Sequence, residues 1–445
     1  LLRAIGSGAG TSRIGAAAAA TAAAILVLAA LAAARPARKD DRALYTPGEL
    51  AAIYSHSPLG APPPDPTDAV AADSRAATLG QFLFFDRNLS ADGRIACTSC
   101  HQPDRAFTDG RRLAKGLGIG TRHTPSLLNV AFNHWYFWDG RAASLWSQAL
   151  KPLENPLEFG SDRLFVAHAV AADPALRTAY QQLFGPLPPL ADTKRFPPHA
   201  RPDADPQAPV AKAWAAMTPA DRAAVDRLFS NLGKAIEAYE RKLVSGNAPF
   251  DRYVDGLRTG NPAEQAAISP AAKRGLKLFV GAAHCDLCHS GPAFSDGQFH
   301  NLGLPLLPGE AVDPGRAAGS AAVKADPFNG IGAFSDAPRG AARDQLAFLP
   351  PAATQLGAFK TPGLRNIALS APYMHDGRFA SLAQVLDFYA RGKAASRGRL
   401  VGTREATLAL IPALSKGQQA DLIAFLQTLT GAPLPPALTT APARP

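Results

Sequence analysis

The sequence predicts an all-α chain of two homologous domains, and three observations carry that prediction. The stretch "IACTSCHQPDRAFTDG", Ile95 to Gly110, returns as "AHCDLCHSGPAFSDG", Ala283 to Gly297. A second segment, "TPSLLNVAFNHWYFWDGRAASL", Thr124 to Leu145, aligns without a gap to "TPGLRNIALSAPYMHDGRFASL", Thr361 to Leu382. The clearest regular stretch puts its apolar residues, Val225, Leu228, Leu232, Ile236 and Tyr239, at helical spacing, and no βαβ pattern surrounds either repeat. With 445 residues, 47% of them apolar, the chain has material for two or three cores.

Residues 1–35 read as a signal peptide or an N-terminal membrane anchor. Arg3 and Arg13 precede the unbroken apolar run Ile14 to Ala34, and "RPARK" follows it. The run is just long enough to span a bilayer, yet it is alanine-rich and ends in small residues that suit a cleavage site. Cleavage and retention both stay open, and either one predicts a periplasmic protein, soluble after cleavage or tethered by the anchor.

The first domain is expected at 36–245. "LGQFLFF", Leu79 to Phe85, reads as a short helix before the first cysteine motif, as "RGLKLFV", Arg274 to Val280, does before the second. The proline-rich stretch Gly185 to Pro209 cannot hold regular structure, and the amphipathic helix through Val225 and Tyr239 follows it. The domain ends around Lys242 to Asp251. The second domain, 246–432, closes with the helix "QQADLIAFLQTLTG", which stops at Gly431 before a flexible tail, 433–445. The offset between copies is 187 at Ala106/Ala293 and 237 at Thr124/Thr361, so the second copy carries an insertion of 50 residues. Its composition, rich in Gly, Ala, Pro and Asp around Leu302 to Gln355, predicts a loop.

Cys-x-x-Cys-His is the attachment motif of c-type haem: two thiols form thioethers with the porphyrin and the histidine becomes an iron ligand. All four cysteines, Cys97, Cys100, Cys285 and Cys288, are used this way, with His101 and His289 as the iron ligands. A four-cysteine zinc site wants its pairs some fifteen to twenty residues apart, and here they lie 188 apart. A thioredoxin-like pair lacks its βαβ context. The expectation is two cytochrome c-like domains, each with one covalent haem c. The formal charge of +10 is scattered and forms no basic run, which excludes a nucleic-acid partner.

The internal alignment also separates the two copies. Thirteen residues after Asp139 stands Pro152, and thirteen after Asp376 stands Tyr389. One copy offers a ligand atom where the other cannot.

The two motifs, "FWDGRAASLWSQALKPLENPLEFG" (Phe137 to Gly160) and "FKTPGLRNIALSAPYMHDGRFASLAQVLDFYARG" (Phe359 to Gly392) resemble the family of bacterial di-haem cytochrome c peroxidases and MauG. The resemblance covers roughly Ala76 to Gly431. It implies that one haem reduces peroxide, that the other is closed by a sixth ligand, and that a tryptophan lies between them. Glu158 then matches the catalytic glutamate, Gln148 helps to hold distal water or peroxide, and Trp138 matches the inter-haem tryptophan. Tyr389 stands where the sixth ligand belongs, methionine in typical peroxidases and tyrosine in MauG. Tyr389 as a core tyrosine, Glu158 as a surface glutamate and Trp138 as core packing are the bland alternatives. The two methionines, Met217 and Met374, do not stand at the ligand position.

Two departures accompany the resemblance. The loop Arg111 to Arg122 contains no histidine, where many relatives carry a distal one that must leave before peroxide binds. His123 replaces the asparagine that helps to bind an inter-domain calcium, which leaves calcium in doubt and His123 as either a haem 1 ligand or a hydrogen-bonded structural residue. His134, His300 and His375 are expected to support or pack.

The leading function is a peroxidase that reduces hydrogen peroxide at haem 1, with electrons from a small cytochrome c or cupredoxin through haem 2. The first alternative is a MauG-like enzyme that uses a high-valent di-haem state to oxidise a protein or organic substrate. The alternative of another class is an electron-transfer di-haem cytochrome, against which Pro152 and Glu158 speak.

Overall fold

A hydroxyl or carboxylate followed by proline or a small residue starts most of the helices that position the sites. A computed structural model describes residues 40–392 and 398–443; the expected leader at 1–35 lies outside the described residues. The helices used below are α1 (Pro47–Ser55), α2 (Ser74–Phe85), α3 (Leu145–Glu154), α4 (Pro219–Glu240), α5 (Pro270–Val280), α6 (Leu382–Ala390) and α7 (Lys416–Gln427). Thr218 caps α4 by accepting from the Asp221 amide, with Pro219 in the first turn. The gapless repeat reproduces its caps: Ser144 accepts from the Ser147 amide at the start of α3 and Ser381 from the Gln384 amide at the start of α6.

Each domain is built on one helix crossing. In the first, α2 lies across α4; in the second, α5 lies across α7. Both crossings close on a glycine, since a Cβ on Gly80 would strike the Ala235 carbonyl and one on Gly275 the Asp421 carbonyl. Backbones meet there without side chains between them. A third helix completes each unit: α3 packs on α4, with a Cβ at Gly233 only 2.5 Å from the Trp146 carbonyl oxygen, and α6 packs on α7. The apolar residues expected along α4 are all buried. The cores are separate, one around Phe84, Trp146, Phe229 and Tyr239 and the other around Phe250, Phe279, Phe294 and Phe425.

Three expectations need correction. The insertion is not a plain loop: it holds the helices Arg316–Ala325 and Ala341–Ala347. Its alanines favour helix, and Arg316 anchors the first of these, sandwiched between the rings of Trp135 and Phe299 and donating to the Gly140 carbonyl at 2.6 Å. The start of the first domain also moves, because residues 41–56 pack on the second. Tyr45 Oη meets Tyr253 Oη at 2.9 Å, Lys273 pairs with Asp41, and His56 Nε2 lies 3.0 Å from the His289 carbonyl oxygen. The tail in turn packs on the first domain through a short helix, Pro436–Thr439. Tyr239 Oη donates to the Leu438 carbonyl at 2.6 Å and Gln81 Nε2 to that of Ala437 at 2.7 Å. The chain thus crosses over at both ends. Among the described residues no helix is long and apolar enough to cross a membrane.

The crossings give a test. Gly80→Ala and Gly275→Ala should each cost ~3 kcal/mol or more, the upper range for overpacking against a backbone that cannot give way. Gly48→Ala, with nothing within 4 Å of its Cβ, should be neutral or stabilising by up to ~1 kcal/mol. Urea unfolding followed by circular dichroism checks all three.

Candidate functional site: two haem-attachment sites and the junction between them

Each motif turns its three donors to one side by a single helical turn, with the His101 amide donating to the Cys97 carbonyl at 2.8 Å and the His289 amide to that of Cys285 at 2.9 Å. His101 Nδ1 then lies 2.9 Å from the Phe107 carbonyl oxygen and His289 Nδ1 3.0 Å from that of Phe294. Both phenylalanines hold left-handed backbone, φ +56° and +55°, and so turn their carbonyls inward. A carbonyl can only accept, so the proton sits on Nδ1 and the Nε2 lone pair is free for iron. Burial lowers the pKa of both imidazoles and favours the neutral, ligating form. None of the four cysteines forms a disulfide.

The two cavities differ. The second, about 490 Å³, is lined by Cys285, Cys288, His289 and Tyr389 and reaches Trp138 and His123. That volume lies within the ~300–1,000 Å³ of cofactor sites, and the donor set fits a haem c. The first, about 40 Å³, is lined by Cys97, Cys100, His101, Gln148, Pro152 and Glu158. There the fit rests on the same donor set and on Gln148 Oε1, a buried oxygen without a hydrogen-bond partner. Pro152 and Tyr389, aligned in sequence, each line their own domain's cavity.

Glu158 follows α3 on the turn opened by Asn155, whose Nδ2 donates to Glu158 Oε1 at 2.6 Å. Burial raises its pKa, while Arg141 and Asn155 pull it down. The histidine-free loop Arg111 to Arg122 lies over this turn, with the Leu117 amide donating to the Glu158 carbonyl at 3.1 Å and the Gly118 amide to that of Leu157 at 2.9 Å. The Tyr389 phenol is raised by burial, with Cys285 and Cys288 adding to it.

The domains meet through a reciprocal pair of backbone bonds. The His123 amide donates to the His375 carbonyl and the Lys360 amide to the Trp138 carbonyl, both at 2.8 Å. His123 and Lys360, like Trp138 and His375, are repeat equivalents. Trp138 Nε1 donates to the His123 carbonyl at 2.9 Å, and His123 Nδ1 lies 2.8 Å from the Arg111 carbonyl oxygen. His123 is therefore a hydrogen-bonded junction residue that borders the second cavity and not the first. Arg122 pairs with Asp139 at 2.6 Å and with Asp313 at 2.8 Å. His375 stacks on Phe359, and burial takes its pKa down to about 4. His300 bridges Asp296 at 2.8 Å and Glu405 at 3.0 Å; Asp296 first, then Cys288 and Glu405, hold it charged up to about 11. His134 is exposed. Met374 lines the second cavity, whereas Met217 is buried in the first core.

Sequence reading missed four contributing residues. Lys360, half-buried, lines the second cavity with its pKa lowered to about 8 by desolvation, and its Nζ donates to Asn133 Oδ1 at 3.1 Å. Asn129 and Asn366, repeat equivalents in left-handed backbone, clasp the segments after α4 and α7: the Asn129 amide donates to the Leu243 carbonyl at 2.8 Å and the Asn366 amide to that of Leu429 at 3.0 Å. The matched asparagines were visible in the alignment as a signal. Glu240, in the wall of the first cavity, showed only as a carboxylate one turn after Ile236.

The chain is similar to several known proteins. The family model described as di-haem cytochrome c peroxidase matches residues 74–259. The methylamine utilization protein MauG of Methylorubrum extorquens is 32% identical over 361 residues, 80% of this chain and 78% of that protein. The cytochrome-c peroxidase IdrP1 of Denitromonas iodatirespirans is 32% identical over 383 residues, 84% of this chain and 86% of its own. The crystal structure of a MauG-like protein associated with microbial copper homeostasis superposes with a TM-score of 0.56 at 26% identity, covering 86% of this chain and 97% of its own.

Junction electrostatics can be tested by stability. Arg122→Met takes the 2.6 Å partner from Asp139, 7% exposed, and leaves it only Arg141 at 3.2 Å, and should cost ~1.5–3 kcal/mol, the worth of hydrogen bonds to a charged group. Arg112→Met, whose partner Glu310 is one-third exposed, should cost less than ~1 kcal/mol. Equilibrium unfolding of both variants measures the contrast.

Proposed function

This chain belongs to the di-haem cytochrome c peroxidase family, and from that premise we propose that it reduces hydrogen peroxide to water at the first site with electrons that arrive through the second. The protein is a haem c oxidoreductase of the peroxidase type. Two haems are proposed, one on Cys97, Cys100 and His101 and one on Cys285, Cys288 and His289. When bound, the first supplies the redox centre for cleavage of the peroxide O–O bond, and the second supplies an electron relay.

The observation that carries the reading is the asymmetry of the cavities. The Pro152 side chain has no ligand atom and would leave a haem held at the first site accessible to peroxide, while the aligned Tyr389 lines the second cavity. Glu158 is the proposed acid–base group: burial keeps its carboxyl ready to hold a proton, Asn155 fixes its orientation, and it takes a proton from the near oxygen and returns it to the leaving one. Gln148 Oε1, without a protein partner, is free to accept from peroxide or water. Trp138, held through Nε1 and through its own carbonyl, is the proposed bridge between sites. The electron donor is a small cytochrome c or cupredoxin and the setting periplasmic; both rest on the sequence. Calcium finds less support, because the Lys360 ammonium and the Arg122 guanidinium already bring positive charge to the junction.

Tyr389 favours a second reading. A phenolate ligand lowers the potential of an iron centre and suits a MauG-like enzyme that oxidises a protein or organic substrate.

Two experiments test these readings. Glu158→Gln should keep both haems and slow peroxide cleavage by ~10²-fold or more; unchanged turnover would return Glu158 to a structural role. Electron paramagnetic resonance of the diferric protein should give one high-spin and one low-spin haem. Tyr389→Phe should abolish or alter the low-spin signal alone, and Trp138→Phe should uncouple the two sites with both ligand sets intact. A low-spin spectrum that ignores Tyr389→Phe would favour the donor-fed peroxidase with a different second ligand.

A further inference from the structure

The first cavity contains a second carboxyl. Glu240, the last residue of α4, is 4% exposed, lines that cavity with Cys97, Gln148 and Glu158, and its Oε2 has no hydrogen-bond partner. Burial raises its carboxyl to about 8. The register of the repeats gives its counterpart. Ala235 and Asp421 receive the two glycine crossings, and Leu243 and Leu429 receive the two asparagine amides, so α4 and α7 correspond at a constant offset that pairs Glu240 with Leu426. Leu426 lines the second cavity. The same wall position is a leucine in one site and a carboxyl in the other, so packing does not require the carboxyl, and an unpartnered one costs stability.

Peroxide reduction consumes protons: H2O2 with two electrons and two protons gives two waters. Glu158 moves a proton from one oxygen to the other and adds none to that balance. We infer that Glu240 is a proton-carrying positioning residue of the first site, holding a proton that peroxide reduction consumes. One turn back on α4, Glu237 is buried and accepts the Trp146 amide at 2.9 Å. Burial first, then the charges of Asp65 and Asp68, raises its pKa against the pull of Arg241 at 3.6 Å, and burial raises Tyr136, with Glu237 and Glu240 adding to it. Asp68 Oδ2 is also buried without a partner, and Asp65 is partly exposed. Glu237 and Asp68 are thus buried carboxyls and Asp65 a partly exposed one on the same flank of α4. The other titratable groups facing Glu240 are Cys97 and Tyr239, with Glu158 and His101 lining the same cavity.

The inference rests on the first site being the peroxide site, and its test separates the two. In the haem-loaded full chain, the ferrous-minus-ferric infrared difference spectrum should contain a carboxylic-acid C=O band that shifts in D2O and disappears in Glu240→Gln and in Glu240→Leu, the latter carrying the residue of the other domain. Single-turnover peroxide consumption should slow on the order of tenfold in both variants, below the ~10²-fold of a direct acid–base group, with the haem absorption spectra unchanged. A wild-type spectrum without that band, a band that survives both substitutions, or unchanged turnover would overturn the role of Glu240. A wild-type first haem inert to peroxide would instead overturn the site assignment, and the infrared band would still be readable.

Discussion

The paired amide bonds at the junction, His123 to the His375 carbonyl and Lys360 to the Trp138 carbonyl, set the relation of everything else. Each joins one copy of the repeat to the other, and together they impose a local twofold on two domains that share no core. Two short bonds around such an axis resist sliding and rotation better than one, because neither can lengthen without straining the other. Their consequence is that the indole of Trp138, tied again through Nε1 to the His123 carbonyl, is held at the junction in the wall of the second cavity. The insertion reinforces this from outside: Arg316, held between two aromatic faces, donates to the carbonyls of Asp139 and Gly140 beside that indole.

Symmetry explains the architecture, and departures from symmetry explain the proposed chemistry. The glycine crossings, the serine caps, the inward carbonyls of Phe107 and Phe294 and the clasping asparagines all occur twice, as expected for a duplicated unit that presents a histidine and two thiols. Pro152 against Tyr389 and Glu240 against Leu426 break the pattern. In both pairs the polar member sits in a cavity wall, where burial makes it expensive and changes its proton affinity. A carboxyl or phenol kept at that cost is one whose protonation or ligation matters.

The crossover of the chain ends has a simple energetic sense. Residues 41–56 add apolar surface and a lysine–aspartate pair to the second domain, and the tail covers the Tyr239 hydroxyl of the first. Each end supplies burial to the domain at the opposite end of the chain, so separation of the domains would expose both segments as well as the junction.

Much of this was legible in the residues themselves. Thiol spacing and the histidine that follows are local covalent facts, helical periodicity in α4 is local, and a gapless repeat transfers caps, turns and left-handed positions from one copy to the other, as with Asn129 and Asn366. The sequence by itself therefore determined the duplicated all-α plan, the two Cys-x-x-Cys-His turns, the Pro152/Tyr389 contrast and Glu158 on its turn. Only the tertiary structure decided that the insertion folds into helices against the Asp139 turn, that the chain ends exchange domains, that His123 lies at the junction away from the first cavity, and that Glu240 lines that cavity without a partner. The reason is separation along the chain: these features depend on contacts between residues a hundred or more positions apart, and a helical period that shows which face of α4 is apolar says nothing of what that face will meet.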